Sequence, residues 1–463
     1  MDFHRQYLER LEPDGGFDCA CGRRHRIGTR QVLVGAGVLD DLPALLRDRY
    51  GRGLRVWVLS DANTERAAGA RCKELLADWA PIATVLPGSP KPRPTLELAG
   101  ELAREAAGYV PGLVLAVGSG VISDLGKKVS HELGIPSWCV ATAPSVDAYT
   151  SGNSVFKGHS RHQTVWVTPS EAVICDLEVM ATAPRVMFLS GLGDLLAKFL
   201  VHLDWQLSAR VTGEYLCPEA VRTARESALR PLRLLAGSGP GSGSEAPAAG
   251  ELLRALTDAL LTAGLLMQAL GNSRPASSAE HSAAHAWEIA GLVGNPEMDR
   301  HGLLVALASR CALEVYRDFY RTLPELSVDI PARLKALAAE PSWEERLDPA
   351  LSIFAEQIRT ELAAAERGPV ALTRRLAAFQ RERETIGSLA DQAICDLEEG
   401  IAALRAFGLP FDLEAFDLKP AAAYLPFPHV RLLRNRYNTF WLMHELGAEE
   451  GPLTALRRLL GLS

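Results

Sequence analysis

Residues 113–127, LVLAVGSGVISDLGK, have the pattern of a buried strand, a tight turn of small residues and a helix. The apolar run ends at Gly118, after which the backbone leaves room for a phosphate to approach the first N–H groups of the helix. Because residue 123 is serine, the turn departs from a strict G-x-G-x-x-G fingerprint. The stretch predicts one unit of a parallel α/β fold, whose turn either binds a dinucleotide or only joins strand to helix.

Similar strand and helix patterns alternate on both sides of this stretch. The predicted strands cover residues 31–34, 55–59, 82–86, 113–117, 137–141 and 172–175, and predicted helices cover residues 39–49, 63–79 and 96–107. This alternation predicts a parallel, Rossmann-like sheet, in which ligands bind beyond the carboxyl ends of the strands.

Two more of the predicted strand ends carry polar side chains. Asp61 follows the second strand, where it would accept hydrogen bonds from a nucleotide ribose or cap the next helix, and the two roles are compatible. Thr142, Ser145 and Asp147 follow the fifth strand. Small hydroxyl groups and a single acid there indicate a nicotinamide or substrate pocket, with a capped loop as the alternative.

The pattern changes near residue 182, after which helical periodicity continues almost to the end of the chain. We predict an N-terminal extension at 1–27, an α/β domain at 28–182 and a helical domain at 183–463. The Gly- and Ser-rich segment 237–250 is predicted to be a flexible surface insert. Amphipathic helices within 331–400 are predicted to serve packing or a dimer surface.

Three histidines fall within a short, Ala-rich segment of the helical part. The sequence SSAE at 277–280 predicts a capping box that starts a helix. His281 and His285 lie four residues apart on this helix, so both imidazoles point to one face, and His301 follows sixteen residues later. Imidazole is a ligand for zinc, nickel and iron, but an H-x-x-x-H pair alone more often forms an ordinary polar face.

A carboxylate elsewhere in the helical part strengthens the metal interpretation. Asp194 lies between glycine and a run of apolar residues, which predicts a buried position, and a buried carboxylate requires a partner. Lys198, one turn further on, is one candidate partner, and a metal is the other. Asp194, His281 and His301 together would form a one-carboxylate, two-histidine site with positions left for substrate oxygens.

A second candidate metal-binding segment lies near the N-terminus. Cys19, Cys21 and His25 give the pattern C-x-C-x3-H, which supplies three potential zinc ligands. The two cysteines are closer than the usual C-x2-4-C spacing, and the sequence reveals no fourth ligand. A small β-hairpin with incidental thiols is at least an equal alternative.

Composition and charge restrict the class of protein. The chain has 463 residues, 48% of them apolar and 23% charged, which is typical of a globular enzyme of two or three domains. A net charge of −7 and the lack of any Lys/Arg block argue against nucleic-acid and anionic-membrane partners. We expect no transmembrane run and no signal sequence. Eight scattered cysteines indicate a reduced compartment, so we expect a cytoplasmic protein.

Five motifs carry a resemblance to a known family. GSGVISDLGK (118–127), TAPSVDAYTS (142–151), GLGDLLAK (191–198), SRPASSAEH (273–281) and RNRY (434–437) resemble the glycerol-1-phosphate dehydrogenases, including the bacterial arabinose-operon type. These belong to the superfamily of iron-containing alcohol dehydrogenases and dehydroquinate synthases. The resemblance implies a Rossmann-like N-domain, an all-α C-domain and an active site in the cleft between them. It also implies the reduction of dihydroxyacetone phosphate to sn-glycerol 1-phosphate with NAD(H) or NADP(H) and one divalent metal, zinc or nickel. The ligand set would also accept iron, and we expect a homodimer.

The resemblance also assigns residues by motif position. The dinucleotide would contact Gly118, Ser119, Gly120, Val121, Ile122, Thr142, Ala143, Pro144, Ser145 and Ser151, with Asp61 at the ribose as a looser match. The metal ligands would be Asp194, His281 and His301. Asp147, Asp194 and His285 would contact the substrate, and Asp194 and His285 would be the catalytic residues. The Cys19 segment, the Gly-rich insert and the long helical stretch before residue 400 depart from the family pattern.

These assignments give a mechanistic hypothesis. A metal acts as Lewis acid at the substrate's C2 oxygen, the nicotinamide delivers hydride to C2, and His285 or a water returns the proton. Arg274 and Lys198 are candidates for the substrate phosphate by position. The tail arginines are expected to be solvated or ion-paired, with only a weak indication of a phosphate role; they are Arg431, Arg434 and Arg436.

Other functions remain open on the sequence alone. Within the same fold, the alternatives are another polyol or alcohol dehydrogenase and a dehydroquinate synthase-like cyclase, although the TAPSVDAY segment argues against the cyclase. A non-catalytic metal- or nucleotide-binding regulator is the alternative from another class. Asp61 favours NAD over NADP, because its charge would oppose a 2′-phosphate.

Overall fold

The computed structural model describes residues 2–158, 162–237, 249–326, 328–366 and 368–462. The predicted insert at 237–250 therefore lies almost entirely outside the described residues. The strands are β1 (Gly16–Asp18), β2 (Arg24–Arg26), β3 (Gln31–Gly35), β4 (Val56–Asp61), β5 (Ile82–Leu86), β6 (Leu113–Gly118), β7 (Ser137–Ala141), β8 (Asn153–Lys157), β9 (His162–Trp166) and β10 (Ala172–Asp176).

The helices of the first half of the chain alternate with these strands. They are α1 (Phe3–Leu8), α2 (Leu42–Tyr50), α3 (Ala62–Thr64), α4 (Ala70–Leu75), α5 (Leu96–Ala107), α6 (Gly120–Leu133) and α7 (Leu177–Ala181). From residue 185 onward the described residues form helices and the turns that join them. These helices are α8 (Arg185–Thr212), α9 (Pro218–Ala236), α10 (Ala249–Leu270), α11 (Ala279–Ile289), α12 (His301–Thr322), α13 (Ile330–Ala338), α14 (Trp343–Arg346), α15 (Ala355–Ala364), α16 (Pro369–Ala406), α17 (Pro420–Tyr424), α18 (Thr439–Leu446) and α19 (Glu450–Leu459).

Six strands form one sheet in the order β3-β10-β7-β6-β4-β5, and every neighbouring pair is parallel. These are the six strands predicted from the sequence, with ends that differ by at most two residues. The predicted fold class, an α/β part followed by a helical part, is confirmed. Two antiparallel hairpins, β1–β2 and β8–β9, stand apart from this sheet, and the second was not predicted.

The two faces of the sheet are covered by different helices. Val56 and Val58 of β4 pack with α2 and α4 on one face, whereas Trp57 and Leu59 pack with α5 and α6 on the other. The helices that follow β4 and β6 thus lie on opposite faces, although β4 and β6 are neighbours in the sheet. This is a topological switch point, and ligands of parallel sheets bind beyond the carboxyl ends of the two strands that flank it.

The predicted helix at 63–79 is interrupted. A π-helical turn, Glu65–Gly69, separates α3 from α4, and a 3-10 turn covers Ala77–Trp79. Glu65 folds back to accept a hydrogen bond from the Ser60 hydroxyl at 2.9 Å, and its carboxylate occupies the space in which a side chain at position 69 would lie. Helical periodicity alone does not reveal such a local contact.

By compactness the chain divides into two units. One contains Met1–Leu195 with Arg222–Ser273, and the other contains Leu196–Val221 with Arg274–Ser463. The predicted domain boundary near residue 182 remains a prediction, since this division falls elsewhere. Helices α8 and α9 continue unbroken through two of the points of division. Asp194 lies in α8 next to the first of these points, and Cys217 directly precedes α9.

Two helices differ from the expectation that no apolar run reaches transmembrane length. Arg185–Thr212 and Gly250–Leu270 are long and apolar enough to cross a membrane by length and composition. In both, 83% of the most apolar window is buried inside the structure, as is usual for helices of a protein core. Length and composition therefore give only weak evidence of a membrane span here.

Gly126 allows α6 to pack directly on β6. A Cβ atom at this position would lie 2.6 Å from the Cβ of Ala116, closer than non-bonded carbon atoms approach. In a strict G-x-G-x-x-G fingerprint, the third glycine is the residue that allows the helix to pack closely on the strand. Here Gly126 has that role, although position 123 is serine.

Replacing Gly126 by valine is therefore expected to lower the free energy of unfolding by about 3 kcal/mol, because the added methyl groups meet a buried strand. Urea denaturation would measure the loss. Gly100→Val is the matched control in another helix, since the nearest atom to its added Cβ is the flexible end of Arg104 at 3.7 Å. An equal loss in Gly100→Val would show that packing on β6 is not responsible, since valine has a higher helix propensity than glycine at either position.

Candidate active site

The turn between β6 and α6 presents helix N–H groups at the switch point. A Cβ at Gly118 would lie 2.5 Å from the Cβ of Ile122, so only glycine allows the helix to begin so close to the strand. Ser119 is the N-cap residue of the 14-residue helix α6 and makes no side-chain cap hydrogen bond. The first N–H groups of the helix are thus left for another acceptor, such as a phosphate.

Asp61 lies at the carboxyl end of the neighbouring strand. Its Oδ1 accepts hydrogen bonds from the backbone N–H groups of Asn63 at 2.8 Å and Thr64 at 3.0 Å, so the residue does cap α3. Both bonds use the same carboxylate oxygen, which leaves Oδ2 for a further donor. The capping role is thus compatible with the predicted contact to a ribose.

The segment after β7 contains the next predicted contacts. Thr142 is held by its N–H, which donates to the carbonyl of Gly118 at 3.2 Å, and Ser145 lies 3.4 Å from the Tyr149 hydroxyl. Ser151 is buried, and its hydroxyl accepts from Lys127 Nζ at 2.9 Å. Lys127 also donates to backbone carbonyls of this segment, so Ser151 has a clear structural role, and its predicted contact with the dinucleotide stays a prediction.

Helix α8 packs tightly on this segment and carries Asp194. A Cβ at Gly191 would lie 1.9 Å from the carbonyl oxygen of Pro144, so glycine is required for the approach. The hydroxyl of Ser190 donates to the carbonyl of Ser145 at 3.2 Å. As a result the backbone N–H of Asp147 lies 3.3 Å from Oδ2 of the fully buried Asp194.

The three histidines form a compact triangle. Ring centroids of His281 and His285 on α11 lie 6.3 Å apart, and each lies 5.3 Å from the ring of His301, the first residue of α12. His281 and His301 each offer one nitrogen, and Asp194 one oxygen, such that the three atoms lie within 4.8 Å of one another. His285 lies beside this group and is not part of it.

This donor set fits a divalent metal. A carboxylate oxygen and two imidazole nitrogens suit zinc, nickel and iron, and three protein ligands leave coordination positions for substrate oxygens. Nδ1 of His281 lies 2.7 Å from Oε1 of the buried Glu280, which would direct the other ring nitrogen to the metal. Burial alone raises the pKa of Glu280, but the hydrogen bond and charge of His281 outweigh burial and lower it.

The predicted capping box at 277–280 is wrong. The N-cap of α11 is Ser278, which makes no cap hydrogen bond through its side chain. Its hydroxyl donates to Asp204 at 2.5 Å instead, and Glu280 accepts from the N–H of Ser278 at 2.9 Å. The serine and the glutamate are therefore used to orient the histidine helix and His281.

Asp204 is a positioning residue that the sequence analysis missed. The fully buried carboxylate also accepts from the Tyr316 hydroxyl at 2.7 Å and from the N–H and hydroxyl of Thr439 at 2.9 and 2.8 Å. Burial raises the pKa of Asp204 to about 6 despite these hydrogen bonds. Three separate segments thus meet at one carboxylate, which fixes the start of α11.

Two arginines of the RNRY motif lie close to the histidine triangle. Nη1 of Arg434 donates to the Ser277 hydroxyl at 2.9 Å, and its Nη2 lies 3.4 Å from Nδ1 of His285. Nη1 of Arg436 donates to the carbonyl of the same serine at 2.6 Å. Burial lowers the pKa of both arginines, and the charges of Arg434 and Arg274 lower that of Arg436 further. Such crowded positive charge favours an anion.

The other phosphate candidates are engaged elsewhere. Arg274 forms a bidentate pair with Glu214, at 2.9 Å through Nε and 2.6 Å through Nη2. Lys198 is buried and donates to the carbonyl of Ala276 at 3.1 Å. Arg431 is buried near Glu449, 3.6 Å away, so the expectation that it is ion-paired holds for this tail arginine. Arg434 is the better placed phosphate candidate.

Comparison with known proteins gives consistent matches. Residues 33–184 match the family model of the iron-containing alcohol dehydrogenases. A glycerol-1-phosphate dehydrogenase (NAD(P)+) of Hyperthermus butylicus is 30% identical over 321 residues, which are 68% of this chain and 88% of that protein. One from Bacillus licheniformis is 30% identical over 316 residues, which are 66% of this chain and 74% of that protein.

Solved structures agree on the fold. A probable glycerol dehydrogenase from Sinorhizobium meliloti superposes with a TM-score of 0.57 at 16% identity, covering 94% of this chain and 99% of its own. The NADH-dependent butanol dehydrogenase A of Thermotoga maritima gives 0.54 at 16% identity, covering 94% and 97%. At these identities the likeness concerns architecture alone.

Proposed function

The chain belongs to the glycerol-1-phosphate dehydrogenase family, and from this membership we propose that it reduces dihydroxyacetone phosphate to sn-glycerol 1-phosphate, reversibly, with NAD(H) or NADP(H). The observation that carries the proposal is the grouping of Asp194, His281 and His301 with their ligand atoms within 4.8 Å, next to an arginine suited to a phosphate. The sequence identity to these relatives confirms the resemblance that the motifs indicated.

Asp194, His281 and His301 are the proposed ligands of one divalent metal. When bound, the metal supplies Lewis acidity that stabilises negative charge on the C2 oxygen of the substrate. Glu280 holds His281 in the required orientation, and the packing of Gly191 on Pro144 holds Asp194 beside Asp147. Asp147 is the proposed contact to the substrate's hydroxyl groups.

The dinucleotide is proposed to bind at the switch point. The N-terminus of α6 would receive its pyrophosphate, the segment from Thr142 to Ser145 would lie along the nicotinamide, and Asp61 would accept from the ribose. The nicotinamide provides the hydride. This arrangement is supported by the Gly118 and Gly126 contacts, which bring the helix terminus close to the strand ends.

Arg434 is proposed to bind the substrate phosphate, with Arg436 contributing charge. The guanidinium of Arg434 faces His285. The proposed role of His285 is to position the substrate and to exchange a proton with the substrate's C2 oxygen through Nδ1 or Nε2. A planar guanidinium forms two parallel hydrogen bonds to a phosphate, which adds orientation to affinity. Discrimination between the phosphorylated and the free ketone would thus depend mainly on Arg434.

The direct test is oxidation of NADH and NADPH by purified, metal-analysed protein with dihydroxyacetone phosphate. Parallel reactions contain free dihydroxyacetone or protein treated with EDTA. EDTA-sensitive oxidation that requires the phosphate is the expected result. Turnover of the free ketone alone would indicate a general polyol dehydrogenase instead, and no turnover of either by metal-loaded protein would overturn the proposal.

Asp61 is proposed to determine the nicotinamide preference. Asp61→Asn keeps the side-chain oxygen that caps α3 but removes the charge that opposes a 2′-phosphate. The ratio of kcat/KM for NADPH to that for NADH should rise roughly tenfold, equivalent to about 1.4 kcal/mol. Asp78→Asn, an exposed carboxylate in the same unit, is the control. An unchanged ratio would remove Asp61 from the ribose site.

We further propose a cytoplasmic homodimer. The eight cysteines all lie in described parts of the chain, and none forms a disulfide, which supports a reduced compartment. Light scattering of the purified protein would measure its mass in solution, and a monomeric mass would contradict the dimer.

A further inference from the structure

The C-x-C-x3-H segment, which the proposed reaction does not use, forms the turn of the β1–β2 hairpin. The N–H of Cys19 donates to the carbonyl of Arg23 at 3.0 Å, and the N–H of Gly22 donates to the carbonyl of Cys19 at 3.0 Å. Gly22 has a φ of 82°, which permits the tight reversal. The reversal brings Sγ of Cys21 to 3.3 Å from Nε2 of His25.

The ring of His25 is oriented in the way that is usual for metal-binding histidines. Its side chain is buried, and Nδ1 lies 2.8 Å from the carbonyl oxygen of Ala269. Because a carbonyl only accepts, Nδ1 carries the proton, and the lone pair of Nε2 faces Cys21. Metal-binding histidines usually make this second hydrogen bond, which fixes tautomer and ring orientation.

Helix α9 brings the fourth ligand to this hairpin. Its Thr223 accepts a hydrogen bond from the Tyr7 hydroxyl at 3.2 Å, and Tyr7 packs on Phe17 of β1 with ring centroids 5.8 Å apart. Cys217 directly precedes the helix, and its sulfur accepts from the N–H of Ala220 at 3.4 Å. The sulfur of Cys217 therefore lies at the N-terminus of α9, on the side of the helix start.

Cys19, Cys21, His25 and Cys217 each offer a ligand atom, and the four atoms lie within 4.8 Å of one another. We propose that they bind a structural zinc ion, at a site separate from the Asp194 group. With Zn–S near 2.3 Å and Zn–N near 2.0 Å, tetrahedral ligands are about 3.5–3.8 Å apart, so only small movements are needed. Three thiolates and one imidazole complete the shell, as in closed structural sites, whereas the Asp194 group leaves positions open.

Such an ion would fasten the N-terminal hairpin to the start of α9. Cys19 and Cys217 are almost two hundred residues apart in the sequence, so one ion would restrict a long loop of the unfolded chain. Its contribution would be to stability, and it does not depend on the reaction proposed for the Asp194 group.

Metal analysis of purified protein tests the proposal. The wild type should contain two metal equivalents, of which Cys217→Ser loses one zinc and His281→Ala loses the other metal. Cys311→Ser, which removes another buried thiol, should retain both. Cobalt-substituted His281→Ala should show a thiolate-to-cobalt charge-transfer band that is absent when Cys217→Ser is added. Cys217→Ser should also lower the Tm by about 5 °C.

Cys21→Ser provides a second variant if Cys217→Ser does not fold, because Cys21 lies in a half-exposed turn. Loss of one zinc in Cys21→Ser supports the site equally. Full zinc content in this variant would overturn the proposal. So would a disulfide between two of these cysteines in wild-type protein purified without a reductant, seen as a mass two hydrogens lower.

Discussion

His281→Ala is expected to lower kcat/KM for dihydroxyacetone phosphate by about 1,000-fold or more, and the protein should lose the metal bound at the Asp194 group. Several kcal/mol of charge stabilisation at the C2 oxygen depend on that metal, and each ~1.4 kcal/mol corresponds to a factor of ten in rate. The fold should survive, because the neighbours of His281 are held by contacts that do not involve its ring, such as the hydrogen bond from Ser278 to Asp204. Steady-state kinetics, metal analysis and thermal unfolding together would check these expectations.

His131→Ala is the matched control for this variant. His131 is exposed on α6 and bonds Thr168 at 3.1 Å, far in sequence from the histidine triangle. Its removal should leave kcat/KM within about twofold of the wild type. Wild-type turnover by metal-free His281→Ala would contradict the proposed role of the metal.

Arg434→Ala is expected to lower kcat/KM for dihydroxyacetone phosphate by roughly 100-fold, from about 3 kcal/mol of charge-assisted hydrogen bonding. With free dihydroxyacetone the same variant should change kcat/KM by no more than about threefold, since no phosphate is present to lose its partner. Arg434→Lys keeps the charge without the planar fork and should recover only part of the loss. The ratio of the two substrates' kcat/KM values is the quantity to measure.

The surface variant Arg321→Ala serves as the control for loss of a positive charge, because Arg321 pairs only with its helical neighbour Asp318 among the described residues. It should leave the substrate ratio unchanged. Equal losses with phosphorylated and free ketone in Arg434→Ala would mean that this arginine supports His285 or the fold and does not bind phosphate.

The four inner strands of the sheet, β4, β6, β7 and β10, could be predicted from the sequence because they are buried on both faces, whereas the edge strands β3 and β5 are partly exposed. Strand β6 is apolar throughout, and all its residues are buried, so its pattern differs clearly from the amphipathic helix α5 that precedes it. The hairpin β8–β9 gave no comparable signal. It is a short two-stranded ribbon whose second strand, HQTVW, has three polar residues followed by two apolar ones and so shows neither an apolar run nor a strict alternation.

The grouping of the three histidines could be predicted only in part from their spacing in the sequence. His281 and His285 share a helix face by their spacing, whereas the approach of His301 depends on how α11 and α12 pack. The roles of Asp204, Arg434 and Cys217 depend on contacts across long sequence distances. Thr439 meets Asp204 from 235 residues away, and Arg434 meets His285 from 149 residues away. No local pattern encodes such pairs, although the RNRY motif marked the arginine.

The sheet order also bears on how the chain is made. Strand β3 is the first of the six to leave the ribosome, yet among the described strands its sheet neighbour is β10, the last of them. The backbone N–H and C=O groups of β3 therefore stay unpaired until some 140 further residues have been synthesised. During synthesis β4, β5, β6 and β7 are able to associate first, and β10 then brings β3 to their edge. Nascent chains that stop before residue 172 would therefore carry an unpaired strand, the kind of segment that chaperones bind and that aggregates when they do not.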